Sequence, residues 1–326
     1  MKRRAFFRGV VLGPLLVSLA QAQRVGKIYQ IGYLWLGPRP ADGAPDASLR
    51  QALMELGHVE GKNVKYVGRW GEGKREQLPT LAAELVALKV DVIVAVGAPA
   101  TEAAKSATST IPIVMAFAAD PVGLGLIDSL ARPGGNITGV SDQAIELSAK
   151  RLEILKEAVP TATRIAVLWN AQDRAMTLRY GQIDKAARVL GVTVQPLGVR
   201  EPDDFDRAFT TMSRERPDAF FMVTDSLTTL NRQRVLDFAN AHGIPAMYEY
   251  AFLVRDGGLI SYGPDHDEAL RRTAVYVDRI LKGTKPSELA VEQPTKYYLV
   301  INIKTAKVLG LTIPQSLLLR ADEVIQ

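Results

Sequence analysis

The sequence predicts an α/β protein of two doubly wound parallel-sheet lobes joined by a three-strand hinge. Three observations carry this. Strand and helix patterns alternate from Ile28 onward. Apolar runs such as Val92 to Val96 lack polar alternation, as strands covered on both faces do. The second half of the chain also repeats the order of the first, with local echoes: "GYLWLG" with "AVLWNA", "VDVIVAVGAPAT" with "PDAFFMVTDSLT", and "TIPIVMAF" with "GIPAMYEY". The length of 326 residues, 47% hydrophobic and 23% charged, suits a globular chain of about two domains.

The first series runs strand Ile28 to Leu36, helix Ser48 to Leu56 closed by Gly57, and strand Val64 to Trp70. A helix follows with Leu78, Leu81, Leu85 and Leu88 on one face, then the Val92 strand, a helix opening at Pro99, and a strand from Ile111 to Phe117. Asp120-Pro121 reads as an N-cap with proline at the first helical position, and Pro133-Gly134-Gly135 as the stop of that helix. The second series starts at Arg164: strand "RIAVLWN", helix Asp173 to Leu190, strand Val192 to Val199, a helix with Phe205, Phe209 and Met212 in register, strand "AFFMVTD", helix from Leu227, strand "IPAMYEY". A third block gives a short strand at Gly257 to Gly263 and a helix with Leu270, Ala274, Val277 and Leu281 on one face. The tail is expected to complete both sheets, so that the chain crosses between lobes near 141–146, 250–256 and 290–296. The expected division is residues 1–22 as a leader, 23–143 plus 254–292 as the first lobe, and 144–253 plus 293–326 as the second.

The N-terminus "MKRRAFFRGVVLGPLLVSLAQAQ" has a basic start, an apolar segment from Val10 to Ala20 and a small-residue site at Ala20-Gln21-Ala22. That is the form of an export signal cleaved near Ala22, too short to span a bilayer. Its "KRRAFF" does not separate the twin-arginine from the general secretory route. Four of the 40 basic residues and none of the 35 acidic ones lie in it, leaving 36 against 35, or +1, for the remainder. With no basic stripe left, nucleic acid is not an expected partner. The absence of cysteine removes thiolate metal sites, a cysteine nucleophile and a lipid-modified anchor. A soluble periplasmic protein, a monomer, is expected.

Four blocks carry a resemblance: "ADPVGLGLIDSLARPGGNITGVS" (119–141), "RLEILKEAVPTATRIAVLWN" (151–170), "RDGGLISYG" (255–263) and "YYLVINIKTAKVLGLTIPQSLLLRADEVI" (297–325). Together they resemble the ABC-transporter substrate-binding protein family that includes the TrpX-type binding proteins, over nearly the whole chain beyond the leader. The resemblance implies a type I periplasmic-binding-protein fold, two lobes closing over a small ligand, and delivery to an ABC permease in the inner membrane.

Ligands of open α/β sheets sit beyond the carboxyl ends of the strands. The repeat therefore pairs Leu34-Trp35 with Trp169-Asn170, the turn Gly97-Ala98-Pro99-Ala100-Thr101 with Thr224-Asp225-Ser226 onward, and Phe117 to Asp120 with Tyr248 to Tyr250. The free amides after Val96 and the Thr101 hydroxyl would suit a carboxylate, and Asp225 an ammonium group, so an amino acid or amino-acid-like compound bridging the lobes is expected. Each feature has a plainer alternative. The Gly97 turn can be an ordinary strand-to-helix connection, and Asp225 a helix N-cap. The aromatic candidates Trp35, Trp169, Tyr248 and Tyr262 can be cleft walls or core.

Enzymatic motifs are missing. His58, His242 and His266 are scattered, and neither a Gly-x-Ser-x-Gly elbow nor a Walker-type loop occurs. "GLGLID" lacks the third glycine of a dinucleotide fingerprint and falls in an expected helix. No catalytic residue, metal or cofactor is expected. A sensor subunit serving a membrane receptor, or a periplasmic α/β enzyme, stand as alternatives to a transport function.

Overall fold

The computed structural model describes residues 27–142 and 144–326. The expected export signal at 1–22 lies outside the described residues. No helix among the described residues is long and apolar enough to cross a membrane.

The first sheet is built from β1 (Tyr29–Trp35), β2 (Val64–Trp70), β3 (Val92–Val96), β4 (Ile113–Ala119) and β5 (Ile137–Asp142), in the order β2-β1-β3-β4-β5. All its pairings are parallel. The second sheet contains β6 (Arg164–Asn170), β7 (Thr193–Val199), β8 (Ala219–Met222), β9 (Ala246–Tyr248), β10 (Ile260–Gly263), β11 (Tyr298–Asn302) and β12 (Glu323–Ile325). Its order, read as β7-β6-β8-β9-β10-β11-β12, opens with the same winding as the first sheet. In each lobe the strand order reverses between the first and third strands, and at such a switch point the strand ends leave a crevice.

The repeat extends to single side chains. Asp91, ahead of β3, accepts the Gln30 amide of β1 at 2.8 Å, and Asp218, ahead of β8, accepts the Arg164 amide of β6 at 2.9 Å. One carboxylate in each lobe thus aligns the start of the third strand with the start of the first.

The strand Ile260–Gly263 corrects the expected lobe division. The expected division puts it in the first lobe, but Ile260 and Ser261 pair in parallel with Met247 and Tyr248 of β9, and its other edge pairs antiparallel with β11. The short helix α9 (Ala251–Arg255) returns the chain to the same sheet, and a fifth strand is what the repeat of the first sheet requires. The middle crossing therefore follows Gly263 rather than falling at 250–256. The tail completes the sheets unequally: β11 and β12 join the second, while the first gains a single bridge of Glu292 beside Val140.

The helices, in chain order, are α1 (Ala47–Glu55), α2 (Leu78–Ala87), α3 (Ala98–Ala107), α4 (Ala144–Ala158), α5 (Arg174–Val189), α6 (Asp204–Arg214), α7 (Ser226–Leu230), α8 (Arg232–Ala241), α9, α10 (His266–Leu281), α11 (Ile303–Val308) and α12 (Gln315–Leu318). α10 buries Leu270, Ala274 and Val277 against Leu49 and Leu53 of α1 and the first sheet. Fully burying a leucine stabilises by roughly 1.5–3 kcal/mol, so this helix is held to the first lobe although the preceding strand belongs to the second. No helix forms after Pro121, contrary to expectation. Gly125 adopts φ +67°, a left-handed conformation that breaks an α-helix, and the segment runs as turns in which Asp120 accepts the Gly123 amide at 2.9 Å.

Candidate functional site

The two lobes enclose a cavity of about 670 Å³. Trp35, Val96 to Pro99 and Phe117 line it from the first lobe, and Asp173, Arg179, Thr224 to Ser226 and Tyr250 from the second. Its size falls within the range of small-molecule sites. The lobes touch at its edge: Trp35 Nε1 donates to Ser226 Oγ at 3.1 Å, and Arg75 donates to the Gln172 carbonyl at 3.3 Å.

On the first lobe, Gly97 caps α3 at φ +81° with no side-chain hydrogen bond, and Pro99 occupies the first helical turn. Gly97, Ala98 and Pro99 face the cavity, while Ala100 and Thr101 are buried behind them. The Thr101 hydroxyl, expected to face a carboxylate, instead donates to the Gly97 carbonyl of its own turn at 2.9 Å. Its helical position turns it toward the preceding turn, where a threonine hydroxyl finds a backbone acceptor.

Phe117 reaches the wall by an irregularity. The β4–β5 register shifts between Ala116 and Ala118, and Phe117, the extra residue, stands at φ +58°. A bulge re-aims a side chain in this way, and a left-handed bulky residue costs of order 1–3 kcal/mol. Its ring stacks on His266 at 4.6 Å between centroids, with 9° between planes, and meets Tyr250 edge-on at 6.3 Å. Tyr250 in turn stacks on Phe252 at 5.9 Å. Phe117, Tyr250, Phe252 and His266 all line the cavity, giving it one aromatic side.

On the second lobe, Asp225 caps α7 in a reciprocal box with Thr228: its side chain accepts the Thr228 amide, and its own amide donates to Thr228 Oγ1 at 2.8 Å. Its other carboxylate oxygen accepts Asn170 Nδ2 at 2.7 Å. Burial and, after it, the charge of Asp173 push the Asp225 carboxyl up to about 6, against the pull of the Thr228 and Asn170 hydrogen bonds. Thr224, Asp225 and Ser226 line the cavity, whereas Asn170 lies behind Asp225.

Beneath these loops lies a buried ionic network. Glu249 receives Arg151 on one oxygen and Arg179 on the other, each at 2.8 Å, and also accepts the Thr224 amide at 3.1 Å. Arg179 reaches on to Asp142, the last residue of β5, at 2.7 Å, and Tyr250 donates its hydroxyl to the same Asp142 oxygen at 3.0 Å. The network therefore ties the end of the first sheet to the floor of the second. Burial works against the charge of Arg179, but Asp142 and Glu249 outweigh it and hold its pKa above the ordinary value. Burial, then Asp142, raises the Tyr250 phenol as well, keeping it a neutral donor.

Of the remaining sequence candidates, Tyr248 is 1% exposed and sits in the core of the second lobe, because strand alternation turns it to the covered face. Tyr262 packs on the core and on Tyr297, Trp169 stacks on Tyr180 at 3.9 Å, and Asp120 closes its own turn. None of these four lines the cavity. Asp142 and Arg179 are not among the residues the sequence singles out, Tyr250 enters only as the end of the paired loop Tyr248 to Tyr250, and His266 only as one of three scattered histidines. A signal was present for two of them: Tyr250 ends the "IPAMYEY" echo, and Asp142 ends a strand. Among the described residues no group of acidic or histidine side chains is placed to hold a metal ion.

Comparison with known proteins identifies the family and the fold. The profile of the ABC transporter substrate binding protein family matches residues 41–325. A tyrosine-binding protein of Clostridioides difficile is 27% identical over 282 residues, 86% of this chain and 81% of that protein. An ABC domain from Streptococcus pneumonia, solved in complex with L-Trp, superposes with a TM-score of 0.83 at 28% identity, covering 92% of this chain and 100% of that one. A ligand-free, open substrate-binding protein with adhesive properties from Clostridium difficile superposes at 0.62 and 25% identity, covering 92% of this chain and all of the other. The chain belongs to the ABC transporter substrate-binding protein family, whose members bind solutes and are not enzymes.

Proposed function

We propose that this member of the ABC transporter substrate-binding family captures an aromatic amino acid between its lobes in the periplasm and presents the closed form to an ABC permease. The observation that carries the reading is the cavity itself, with an aromatic side (Phe117, Tyr250, Phe252, His266) beside charged and polar groups (Asp142, Arg179, Thr224). A planar side chain and a zwitterionic head group match that pairing. The named ligands of two relatives, tyrosine and L-Trp, support it. The lobe arrangement agrees: at similar identity the chain superposes better on the L-Trp complex than on the open, ligand-free relative. Three crossings, after Asp142, after Gly263 and between Glu292 and Tyr298, form the hinge about which such lobes would open.

The test is thermal unfolding of the chain from residue 23 with each amino acid in turn. L-tyrosine or L-tryptophan at 100 times its Kd would stabilise the protein by ~2.7 kcal/mol. Small-angle scattering should then show a radius of gyration no larger than that of the unliganded protein. Absence of a shift with any amino acid would overturn the reading.

A further inference from the structure

The ionic network leaves specific atoms over. Glu249 is satisfied on both oxygens, and Arg179 spends both terminal nitrogens on Glu249, the Thr224 carbonyl and Asp142. One Asp142 oxygen takes both Arg179 and Tyr250. Three buried atoms of residues that line the cavity then have no partner among the described residues: Arg179 Nε, Thr224 Oγ1 and Asp142 Oδ1. Their residues are at most 6% exposed and adjoin one another through Arg179. His58, Trp70, Trp169, Gln195 and Ser261, which also carry such atoms, do not line the cavity.

Buried polar atoms are ordinarily paired, so three left over together on a cavity wall describe the complement of what occupies it. Arg179 Nε is a charged donor, the Thr224 hydroxyl a second donor, and Asp142 Oδ1 an anionic acceptor. Two donors beside one anionic acceptor complement a carboxylate adjacent to an ammonium group.

We propose that Arg179, Thr224 and Asp142 form the head-group subsite for an α-amino acid, with the ligand carboxylate on Arg179 Nε and Thr224 Oγ1 and its ammonium on Asp142 Oδ1. This rests on the amino-acid reading above and moves the head group away from the Gly97 turn and Asp225. Gly97, Ala98 and Pro99 at the start of α3 line the cavity but no orphaned side chain accompanies them, and both oxygens of Asp225 already accept protein donors. Because Asp142 ends β5 at the first crossing, the subsite also places the ligand's charges against the hinge.

Calorimetric titration of the wild type, Thr224→Val and Asp142→Asn with L-tryptophan, tryptamine and indole-3-propionate tests the assignment. Thr224→Val should raise the Kd for L-tryptophan about tenfold and leave that for tryptamine, which has no carboxylate, unchanged. Asp142→Asn should raise it by more than tenfold and raise that for indole-3-propionate, which has no ammonium but still meets Arg179, by a smaller factor. Thr224→Ser should restore wild-type affinity, which keeps the test decisive if Asp142→Asn folds poorly. Wild-type affinity in Thr224→Val, or equal losses for all three probes, overturns the subsite. A wild type that binds no amino acid overturns instead the functional reading on which the subsite depends.

Discussion

Thr101 and Thr228 stand at the same position of the internal repeat, five residues past Val96 and Val223, and they do different things. In the first lobe the turn is Gly97-Ala98-Pro99; it has no side-chain cap, and Thr101 bonds back to the Gly97 carbonyl. In the second the turn is Thr224-Asp225-Ser226, and Thr228 closes a reciprocal cap with Asp225. Below the second turn lies the Arg151, Glu249 and Arg179 network, while the first turn rests on the apolar residues of β3 and β4. The lobes thus share a scaffold, down to Asp91 and Asp218 at the strand starts, and diverge at the cleft. At the cleft the first contributes an uncapped turn and the bulged Phe117, and the second a capped turn above the Arg151, Glu249 and Arg179 charges.

Removing the charge from the second lobe should give the largest effect. Glu249→Ala leaves two buried guanidinium groups without their shared partner, and breaking a buried pair costs about 3–5 kcal/mol. Denaturant unfolding should show a loss of that order. His58→Ala, which breaks the His58 to Asp278 contact of 2.8 Å in the first lobe, should cost less, since Asp278 keeps Lys282 at 2.8 Å. Equal losses would end the distinction between the lobes.

A pH profile sharpens it further. The Asp225 carboxyl rises from 3.8 to about 6 on folding, so the folded state favours its protonated form. The stability this group contributes is complete below about pH 4 and is lost as pH rises through 6. Asparagine caps a helix about as well as aspartate. Asp225→Asn should therefore match the wild type near pH 4 and become the more stable of the two by pH 7 in thermal melts. A constant difference across that window would contradict the assignment. The equivalent position in the first lobe, Ala98, has nothing to titrate.

The smallest effect belongs to Thr101→Val. The Gly97 carbonyl still accepts the Thr101 amide at 3.2 Å, so the loss of one hydroxyl bond should cost no more than about 1 kcal/mol of stability. Its hydroxyl does not reach the cavity, so titration should show unchanged ligand affinity. Thr228→Val, which opens the cap, should cost about 1–2 kcal/mol in the same unfolding assay.

How far the sequence discloses this molecule follows from whether a feature is local. The β3 strand is a run of valine, isoleucine and alanine, the Gly97 and Pro99 turn has its own chemistry, and both sheets wind in the order that the repeat implies. The sheet of β10 is not legible locally, because "LISYG" reads as a strand in either sheet and its neighbour is decided by pairing with Met247 and Tyr248. The expected helix after Pro121 failed because the left-handed Gly125 outweighed a sound cap signal. In the site, Trp35, Gly97 and Asp225 sit at strand ends where topology predicts a crevice. Arg179 did not stand out, since it is one charged residue within a helix and its partners lie 37 and 70 positions away. Phe117 reaches the cavity through a bulge, a property of two strands rather than one.

The bond from Trp35 to Ser226 spans the cleft, so it exists when the lobes meet and must break for them to part. On the role proposed above it would act as a latch, and strengthening or deleting it would change how long a bound solute is held.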